Sequence, residues 1–378
     1  MHIAFNGWFW DQPNVGSGQY IRRLLPALRK IAPDLNMTLI LPPHNTQPDN
    51  LPLNVNIVTT KGRGGRIGKV LFEQRAFPKM VAQVNADIAH VPYWGPPLSS
   101  PAKLVTSILD VVPLIIPDYA GGIANRLYTS LVSSASQNNA HIITISEQSK
   151  TDIVEQLNIP SDSITVTYLG IDDRFHPRMG AERDQAVREK YNLPDQFVLY
   201  LGGFDIRKQV NQLLLAYTYV GQAEGDNIPL VLAGREPKWG ESVFPDLPKY
   251  ADELKLNDYL HWTGYIDEDD KPSLYRLADV FVYPSMYEGF GLPPLEAMAS
   301  GTPTVTSDVD IFNEVLSDGA YLAESPRAMA GAIIGLLIQE QLRKTMINQG
   351  LAQATKYNWR KTAQGTLQVY EQVMHSSS

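Results

Sequence analysis

Residues 283–301 read Tyr-Pro-Ser-Met-Tyr-Glu-Gly-Phe-Gly-Leu-Pro-Pro-Leu-Glu-Ala-Met-Ala-Ser-Gly, and this stretch is the most informative in the chain. It starts as the end of an apolar run, passes through a glycine-containing loop and continues as a helical pattern. Pro293 or Pro294 suits the first position of that helix, and Gly301 suits its end. The stretch therefore predicts a strand, a loop and a helix, with Glu288 on the loop and Glu296 on the first helical turn.

This arrangement of two acids suits a ligand that carries both phosphates and sugars. The backbone amides of Phe290 and Gly291 lie near a helix N-terminus, where an anion is favoured. A carboxylate accepts two hydrogen bonds at once, so one acid could hold a ribose and the other a hexose. A simpler explanation is that both glutamates neutralise the helix N-terminus. That explains Glu296 alone, but not two acids eight residues apart around a Gly-Phe-Gly loop.

A second motif occupies residues 200–211, Tyr-Leu-Gly-Gly-Phe-Asp-Ile-Arg-Lys-Gln-Val-Asn. A strand ends in two glycines, of which Gly203 is the second, and a glycine-rich turn permits close approach of the backbone to a ligand. The pattern predicts that Arg207 and Lys208 open the next helix. Two cations there are unfavourable with the helix dipole unless they serve another purpose, and binding a diphosphate is one.

Short apolar runs alternate with amphipathic stretches through most of the chain. Runs this brief and rich in Val, Ile and Leu are typical of parallel strands that are covered on both faces, so the pattern predicts an α/β fold. The predicted strands are Ile3–Phe5, Thr38–Leu41, Ile88–His90, Leu104–Ile108, His141–Ile145, Val198–Leu201, Leu230–Leu232, Val280–Tyr283 and Thr304–Thr306.

The pattern restarts once, which indicates two similar domains. A length of 378 residues suits two domains or three. A segment rich in charge and turn residues at 170–195 separates the two sets of runs. We therefore predict an N-terminal Rossmann-like domain at 1–170, a C-terminal one at 171–355, and a final helix at 356–378 that returns to the first. Two such parallel sheets would face each other across a cleft, where ligands of open α/β sheets bind.

Composition excludes several classes of protein. The chain has no cysteine, so a disulfide scaffold, a thiolate zinc site and a cysteine nucleophile are ruled out. Its net charge of −8 disfavours nucleic acid as a partner. No apolar run reaches the ~18 residues that span a bilayer, and no signal peptide precedes the first strand. We expect a cytoplasmic protein.

The spacing Glu288-x7-Glu296 resembles the signature of retaining glycosyltransferases of the GT-B fold, in particular family 4. The resemblance implies that Glu288 approaches the hydroxyls of the donor sugar, that Glu296 binds the ribose, and that Arg207 and Lys208 neutralise the leaving diphosphate. It further implies retention of the anomeric configuration and no metal or other cofactor. The form Arg-Lys-x-x-Asn at 207–211 resembles mannosyltransferases and favours GDP-mannose, with UDP-glucose or UDP-N-acetylglucosamine close behind. The implied acceptor is a glycan or glycolipid.

The family resemblance also assigns glycines to the donor site. Gly16-x-Gly18 follows the first strand, but Ile21 stands where a dinucleotide fingerprint needs a third glycine or alanine, which disfavours a dehydrogenase. In the family a similar loop lies near the donor phosphate. The other expected donor contacts, besides Phe290 and Gly291, are Gly203, Gly234, Gly264 and Leu292.

The expected acceptor contacts are mostly aromatic: Trp8, Tyr20, His90, Trp94 and Asp110. Aromatic side chains stack on sugars, although ordinary packing explains each of them about as well. Relatives often have His-Asp where this chain has Leu109-Asp110, so either His90 supplies the imidazole or the reaction proceeds without one.

Two further segments have simple explanations beside functional ones. The basic stretch Lys61–Lys69 reads as a solvated loop or, alternatively, as a contact for an anionic acceptor at a membrane surface. The acids Asp267–Asp270 and the pair Asp308 and Asp310 could suggest a metal, but caps and surface charge explain them, and we expect no metal site. A nucleotide-sugar epimerase of the same fold and a two-lobed sugar-binding protein remain as alternative functions.

Overall fold

A computed structural model describes residues 1–44, 51–52, 54–224 and 228–376. The chain divides into two compact units. Unit 1 comprises Met1–Gly170 and Trp359–Ser378, and unit 2 comprises Ile171–Asn358. The units change after Gly170 and after Asn358, beside the predicted domain ends at residues 170 and 355.

Unit 1 is built on a seven-stranded parallel sheet of order β3-β2-β1-β4-β5-β6-β7. Its strands are β1 (His2–Asn6), β2 (Asn36–Leu41), β3 (Val55–Thr59), β4 (Ile88–Val91), β5 (Lys103–Ser107), β6 (His141–Thr144) and β7 (Ile164–Val166). Its helices are α1 (Gly16–Ile31), α2 (Gly65–Leu71), α3 (Phe77–Gln83), α4 (Val112–Ile115), α5 (Ile123–Ser136), α6 (Glu147–Leu157) and, at the end of the chain, α15 (Trp359–His375). A π-helical turn, Phe72–Ala76, joins α2 to α3.

Unit 2 repeats this design with a six-stranded parallel sheet of order β10-β9-β8-β11-β12-β13. The strands are β8 (Val198–Leu201), β9 (Leu230–Ala233), β10 (Leu260–Gly264), β11 (Val280–Tyr283), β12 (Thr304–Ser307) and β13 (Tyr321–Ala323). The helices are α7 (Asp184–Lys190), α8 (Val210–Glu224), α9 (Leu247–Glu253), α10 (Lys271–Leu277), α11 (Leu292–Ala299), α12 (Asp310–Leu316), α13 (Pro326–Ile338) and α14 (Glu340–Ala354).

The strand order of each sheet reverses once, and this positions the loops that matter. In unit 2 the reversal lies between β8 and β11, which are hydrogen-bonded neighbours although they are far apart in sequence. The loops that follow these two strands therefore emerge side by side at the carboxyl edge of the sheet. Such a switch point is where open α/β sheets bind ligands. Both motifs singled out in the sequence lie on these two loops.

The last helix completes unit 1, as the sequence predicts. The Tyr370 hydroxyl lies 2.5 Å from His90 Nδ1 on β4. The Thr362 hydroxyl donates to the carbonyl of Tyr168 at 2.6 Å, and Lys103 Nζ on β5 donates to the carbonyl of Val373 at 2.6 Å. Polar contacts thus fix α15 at both of its ends and in its middle. Among the described residues, none of the helices is both long and apolar enough to cross a membrane.

Gly16 and Gly18 lie in the first turn of α1, and they differ in the space around them. A Cβ on Gly18 would lie 2.0 Å from the carbonyl oxygen of Gln12, whereas a Cβ on Gly16 would meet nothing within 4 Å. Gly18→Ala should therefore lower the free energy of unfolding by about 1–3 kcal/mol, the usual cost of overpacking. Gly16→Ala should leave it unchanged or slightly raised. Chemical denaturation of both variants checks this, and equal effects would contradict it.

Candidate functional site

Arg207, Lys208 and Glu288 form one cluster at the switch point of unit 2. Arg207 and Lys208 lie in a single 3-10 turn, Ile206–Lys208, that follows β8. They therefore precede α8 rather than open it, which corrects the expectation from the sequence. Gln209, in left-handed conformation with φ of 50°, separates this turn from the helix.

The Glu288 carboxylate is the centre of this cluster and is only 9 % exposed. Its Oε1 accepts hydrogen bonds from Lys208 Nζ at 2.5 Å, from the Ser285 hydroxyl at 2.7 Å and from the Tyr283 hydroxyl at 3.1 Å. Its Oε2 accepts one from Arg207 Nη1 at 2.8 Å. Tyr283 and Ser285 were not predicted as site residues, although both lie within five residues of Glu288 in the quoted stretch.

Backbone contacts hold the two loops together around these side chains. The Met286 amide donates to the carbonyl of Arg207 at 2.9 Å, and the Ser285 hydroxyl lies 3.2 Å from the same oxygen. Arg207 Nη1 also donates to the carbonyl of Tyr287 at 3.1 Å, and Arg207 Nε lies 3.6 Å from Asp205. The cluster is therefore set by the main chain as well as by charge.

Burial and neighbouring charge shift the pKa values of Glu288 and Lys208 in opposite directions. Burial alone raises the pKa of Glu288, but the charges of Lys208 and Arg207 outweigh it and hold that pKa at about 2. Burial lowers the pKa of Lys208, and the nearby Glu288 opposes this shift. The Lys208 ammonium also lies 4.8 Å from the centre of the Tyr283 ring, which adds a cation–π contact. Each buried charge is thus stabilised by a partner within hydrogen-bond distance.

Glu296 has a different environment on α11. It is the fifth residue of that helix and so lies on the second turn, not on the first as predicted. Its Oε2 accepts a hydrogen bond from the Tyr275 hydroxyl on α10 at 3.0 Å. Burial raises the pKa of Glu296, with Lys271 and Tyr275 opposing the shift. The two acids of the Glu-x7-Glu spacing therefore have pKa values shifted in opposite directions.

The predicted donor glycines lie at neighbouring strand ends. Gly203 follows β8, and Gly234, with φ of 157°, follows β9 and donates its amide to the carbonyl of Gly264 on β10 at 2.9 Å. A Cβ on Gly234 would lie 2.1 Å from the carbonyl oxygen of Gly202, whereas one on Gly264 would meet nothing within 4 Å. Gly234 is thus required for packing of these turns, and the space beside Gly264 is open.

Phe290, Gly291 and Leu292, at the start of α11, have different structural roles. Gly291 precedes the helix with φ of 96°, and a Cβ there would lie 2.9 Å from the Phe312 ring. Leu292 is the first residue of the helix and is half-buried. The Phe290 side chain is 3 % exposed and packs edge-to-face on Tyr357 at 5.5 Å. The Phe290 ring thus serves packing, and the donor contact of this residue stays a prediction.

The predicted acceptor residues of unit 1 are largely buried, which corrects part of that assignment. His90 is fully buried, with Nδ1 bonded to Tyr370 and Nε2 2.8 Å from the Ser107 hydroxyl. Burial lowers the pKa of His90 to about 3. The Tyr20 hydroxyl bonds to the same Ser107 at 3.0 Å, and burial raises the pKa of Tyr20 to about 12. These two side chains form an internal network and do not present a surface to a sugar.

The remaining acceptor candidates differ in exposure. Trp8 is 6 % exposed and packs against Phe72 and His44, so it too serves the core. Trp94 is half-buried and donates to the Ser136 hydroxyl at 3.2 Å. Asp110 is half-buried and accepts from the amide of Val112 at 3.3 Å. Trp94 and Asp110 remain predictions.

The acidic residues Asp267–Asp270 of unit 2 form ion pairs with nearby cations. Asp270 pairs with Arg183 at 2.8 Å and with Lys190 at 2.6 Å, and Glu268 and Asp269 pair with Arg174. No group of three or more His, Asp or Glu side chains in the described ranges is arranged to hold a metal ion.

Two family models match the chain. The model described as "Glycosyl transferases group 1" matches residues 183–353, and the one described as "Glycosyltransferase Family 4" matches residues 15–175. The chain is 31 % identical over 300 residues to the O-antigen chain mannosyltransferase B of Escherichia coli, covering 78 % of this chain and 77 % of that protein. It is 29 % identical over 284 residues to the serotype-specific mannosyltransferase WbdA of the same organism, covering 73 % of this chain but only 34 % of that longer protein.

Solved structures share the fold over essentially the whole chain. Sucrose-phosphate synthase from Thermosynechococcus elongatus superposes with a TM-score of 0.77 at 21 % identity, covering 100 % of both chains. HepE of Anabaena, solved in complex with UDP and glucose, gives 0.73 at 17 % identity, covering 98 % of this chain and 99 % of that one. At these identities the likeness concerns the fold alone, which is GT-B with two Rossmann-like parallel sheets.

The two acids should respond differently to neutralisation. Glu288→Gln leaves the buried Lys208 without a counter-charge and should lower the free energy of unfolding by about 3–5 kcal/mol at pH 7. Glu296→Gln replaces an acid whose charge burial already disfavours, so its cost should stay below about 1 kcal/mol. Denaturant titration measures both. A Glu296→Gln cost equal to that of Glu288→Gln would contradict the assignment.

The lowered pKa of Glu288 also predicts how the stability of the protein depends on pH. The folded-state pKa of Glu288, about 2, lies below its ordinary value of 4.5, so its stabilisation is fully present above pH 4.5 and disappears as pH falls towards 2. The stabilities of wild type and Glu288→Gln should therefore converge in that window. A difference that stays constant down to pH 2 would show that Glu288 does not titrate in this way.

Proposed function

Since the chain belongs to the group 1 and family 4 glycosyltransferases, we propose that it moves a hexose from a nucleoside diphosphate sugar to a hydroxyl of a glycan or glycolipid, with retention of the anomeric configuration. The observation that carries the proposal is the cluster of Arg207, Lys208 and Glu288 at the switch point of unit 2. It combines cations suited to a diphosphate with a carboxylate suited to sugar hydroxyls.

The hydrogen-bond inventory gives each side chain a role. An ammonium has three N–H donors, and Lys208 uses two of them on Glu288 and Tyr283. The third donor can serve a phosphate oxygen. Each oxygen of a carboxylate has two lone pairs; Oε1 already accepts three hydrogen bonds, whereas Oε2 accepts only one and has a lone pair left. We therefore assign the hydroxyl of the transferred sugar to Oε2 of Glu288.

Glu296 and the glycine turns complete the proposed donor site. A charged Glu296 could accept both ribose hydroxyls, and Tyr275 fixes its orientation. The open position beside Gly264 leaves room for the base. The mannosyltransferase relatives favour GDP-mannose, whereas the nucleotide in the HepE structure keeps UDP-glucose as the alternative.

The proposed chemistry is electrostatic. As the bond between the sugar and the diphosphate breaks, negative charge grows on the leaving group and is stabilised by Arg207 and Lys208, which are already oriented by Glu288. The acceptor hydroxyl attacks from the same face of the sugar, and the leaving phosphate takes its proton. These two cations make a metal unnecessary, so we expect the rate to be unchanged by EDTA.

Nucleotide binding and turnover test the proposal together. GDP at a hundred times its dissociation constant should stabilise the protein by ~2.7 kcal/mol, a visible rise in melting temperature. Glu296→Ala should abolish this rise. Arg207→Ala should lower turnover by about a hundredfold or more while the protein stays folded, because it removes one cation from the developing charge.

Arg327→Ala is the matched control, because it removes an exposed arginine elsewhere in unit 2. NMR of the product reports the anomeric configuration. A rise with UDP instead of GDP would change the donor. No rise with any nucleoside diphosphate, or unchanged turnover in Arg207→Ala, would overturn the proposed function.

We also infer peripheral contact with an anionic membrane through unit 1. Unit 1 carries 15 lysines and arginines against 12 acids, whereas unit 2 carries 17 against 28. Residues 61–79 hold six of the cations and a single acid, Glu73, which is fully buried. Ile67 in the same segment is 78 % exposed. Basic residues flanking an exposed apolar side chain suit an anionic lipid surface.

Vesicle binding checks this inference. Arg63→Ala with Arg66→Ala should lower co-sedimentation with phosphatidylserine-containing vesicles by about tenfold or more, since each basic residue near an anionic surface contributes ~1 kcal/mol. Lys30→Ala with Arg360→Ala removes two exposed cations from other parts of unit 1 and should have little effect. Equal losses in both double variants would refute a localised contact.

A further inference from the structure

Unit 1 contains a pocket of about 240 Å³ within the basic segment 61–79, to which only a general membrane contact is assigned above. Pro43, just beyond the end of β2, and Thr60, directly after β3, lie in its lining. The pocket is therefore at the carboxyl edge of the sheet, the edge at which open α/β sheets bind ligands.

Cations line this pocket from two separate segments. Lys61 and Arg63 belong to the loop before α2, and Arg75 and Lys79 belong to the helical run from α2 to α3. All four side chains are exposed. Within the described ranges, none of the four forms an ion pair with a carboxylate, and no acid lines the pocket. Four positive charges around one small cavity suit an anion with several acceptor oxygens.

The acid of this segment does not neutralise the pocket. Glu73 is fully buried and accepts hydrogen bonds from the Tyr128 hydroxyl at 3.0 and 3.1 Å, with Lys69 Nζ 3.5 Å away. Lys69 also lies 4.6–5.2 Å from the ring centres of Tyr128, Tyr93 and Phe9. Glu73 and Lys69 thus satisfy each other inside unit 1 and fix the position of α2.

Much of the remaining lining is apolar. Besides Thr60 and two glycines it consists of Pro43, Leu71, Phe72 and Ala76, and Leu71 is 45 % exposed. A free phosphate would use the cations but would leave Leu71 in water. A molecule that joins a phosphate to an apolar chain would use both, since burial of apolar surface is favourable.

We propose that this pocket binds the phosphate or diphosphate group of an amphipathic, phosphate-bearing acceptor, with the apolar part of that molecule against Leu71 and Phe72. Lys61 and Arg63 would contact the phosphate from one side, and Arg75 and Lys79 from the other. The role as an acceptor site rests on the proposed glycosyltransferase function, whereas binding of the anion does not.

Calorimetric titration with two probes tests the pocket: inorganic pyrophosphate, and dioctanoyl phosphatidic acid below its micelle concentration. Arg75→Ala with Lys79→Ala should weaken both by about tenfold or more, because hydrogen bonds to charged groups are lost. Lys30→Ala with Arg360→Ala, which changes the net charge equally, should change neither by more than about twofold. Leu71→Ser should weaken only the lipid probe.

Other results would overturn the proposal. These are no binding of either probe to wild type, equal losses in the two double variants, or loss of the lipid probe in Arg207→Ala, which would place that probe in unit 2. Because pyrophosphate can also bind beside Arg207, its titrations test the double variant Arg75→Ala with Lys79→Ala in the Arg207→Ala background, where an unchanged affinity would likewise overturn the proposal. Tight pyrophosphate binding with no effect of Leu71→Ser would assign the pocket to a free phosphate instead of an amphiphile. The melting-temperature rise with GDP is measured in the same variants, so failure of the pocket and failure of the proposed function are distinguishable.

Discussion

A carboxylate buried between two cations is the constraint on which the site of unit 2 depends. Glu288 and Lys208 are both out of water, so neither charge is tolerated without the other. Because the two residues lie on loops that follow different strands, the ion pair joins the loop after β8 to the loop after β11. The strand order of the sheet makes this possible, since it places β8 and β11 side by side. Topology and electrostatics thus specify the same geometry.

Two glutamates on neighbouring segments illustrate how environment divides roles between identical side chains. Glu288 meets two cations and two hydroxyls, and stays charged down to strongly acidic pH. Glu296 meets one tyrosine hydroxyl, and burial raises its pKa. A ligand that donates hydroxyl hydrogen bonds would therefore change the protonation of Glu296 more than that of Glu288. Glu288 is therefore already charged and oriented before a ligand binds, whereas the charge of Glu296 responds to the ligand.

The sequence was most predictive where burial is complete. Val198–Leu201 and Val280–Tyr283 are strands with the predicted bounds, because central strands of a parallel sheet are continuous apolar runs. The strands β3, β7, β10 and β13 were not among the predicted runs. They lie at sheet edges and are only partly buried, so their sequences do not form such runs.

Contacts between residues that are far apart in sequence could not be predicted from local patterns either. The roles of Tyr20 and His90 are set by Ser107 and by Tyr370, which is 280 residues from His90. Likewise Tyr275 reaches Glu296 from a separate helix. The local motifs did single out Arg207, Lys208 and Glu288, which the structure brings into one cluster; their roles stay predictions. Nothing local could show that a 3-10 turn precedes α8.

The return of α15 to unit 1 has a consequence for the order in which the protein forms during synthesis. The sheet of unit 1 is complete by Val166, yet its last helix begins at Trp359. While the ribosome makes the intervening residues, the Nδ1 atom of His90 lacks the Tyr370 hydroxyl, and the apolar surface that α15 covers is open. Unit 2 is contiguous and has all of its residues by Asn358. The domain that starts first is therefore finished last, and a chain truncated before residue 359 would contain a complete unit 2 beside a unit 1 that lacks its last helix.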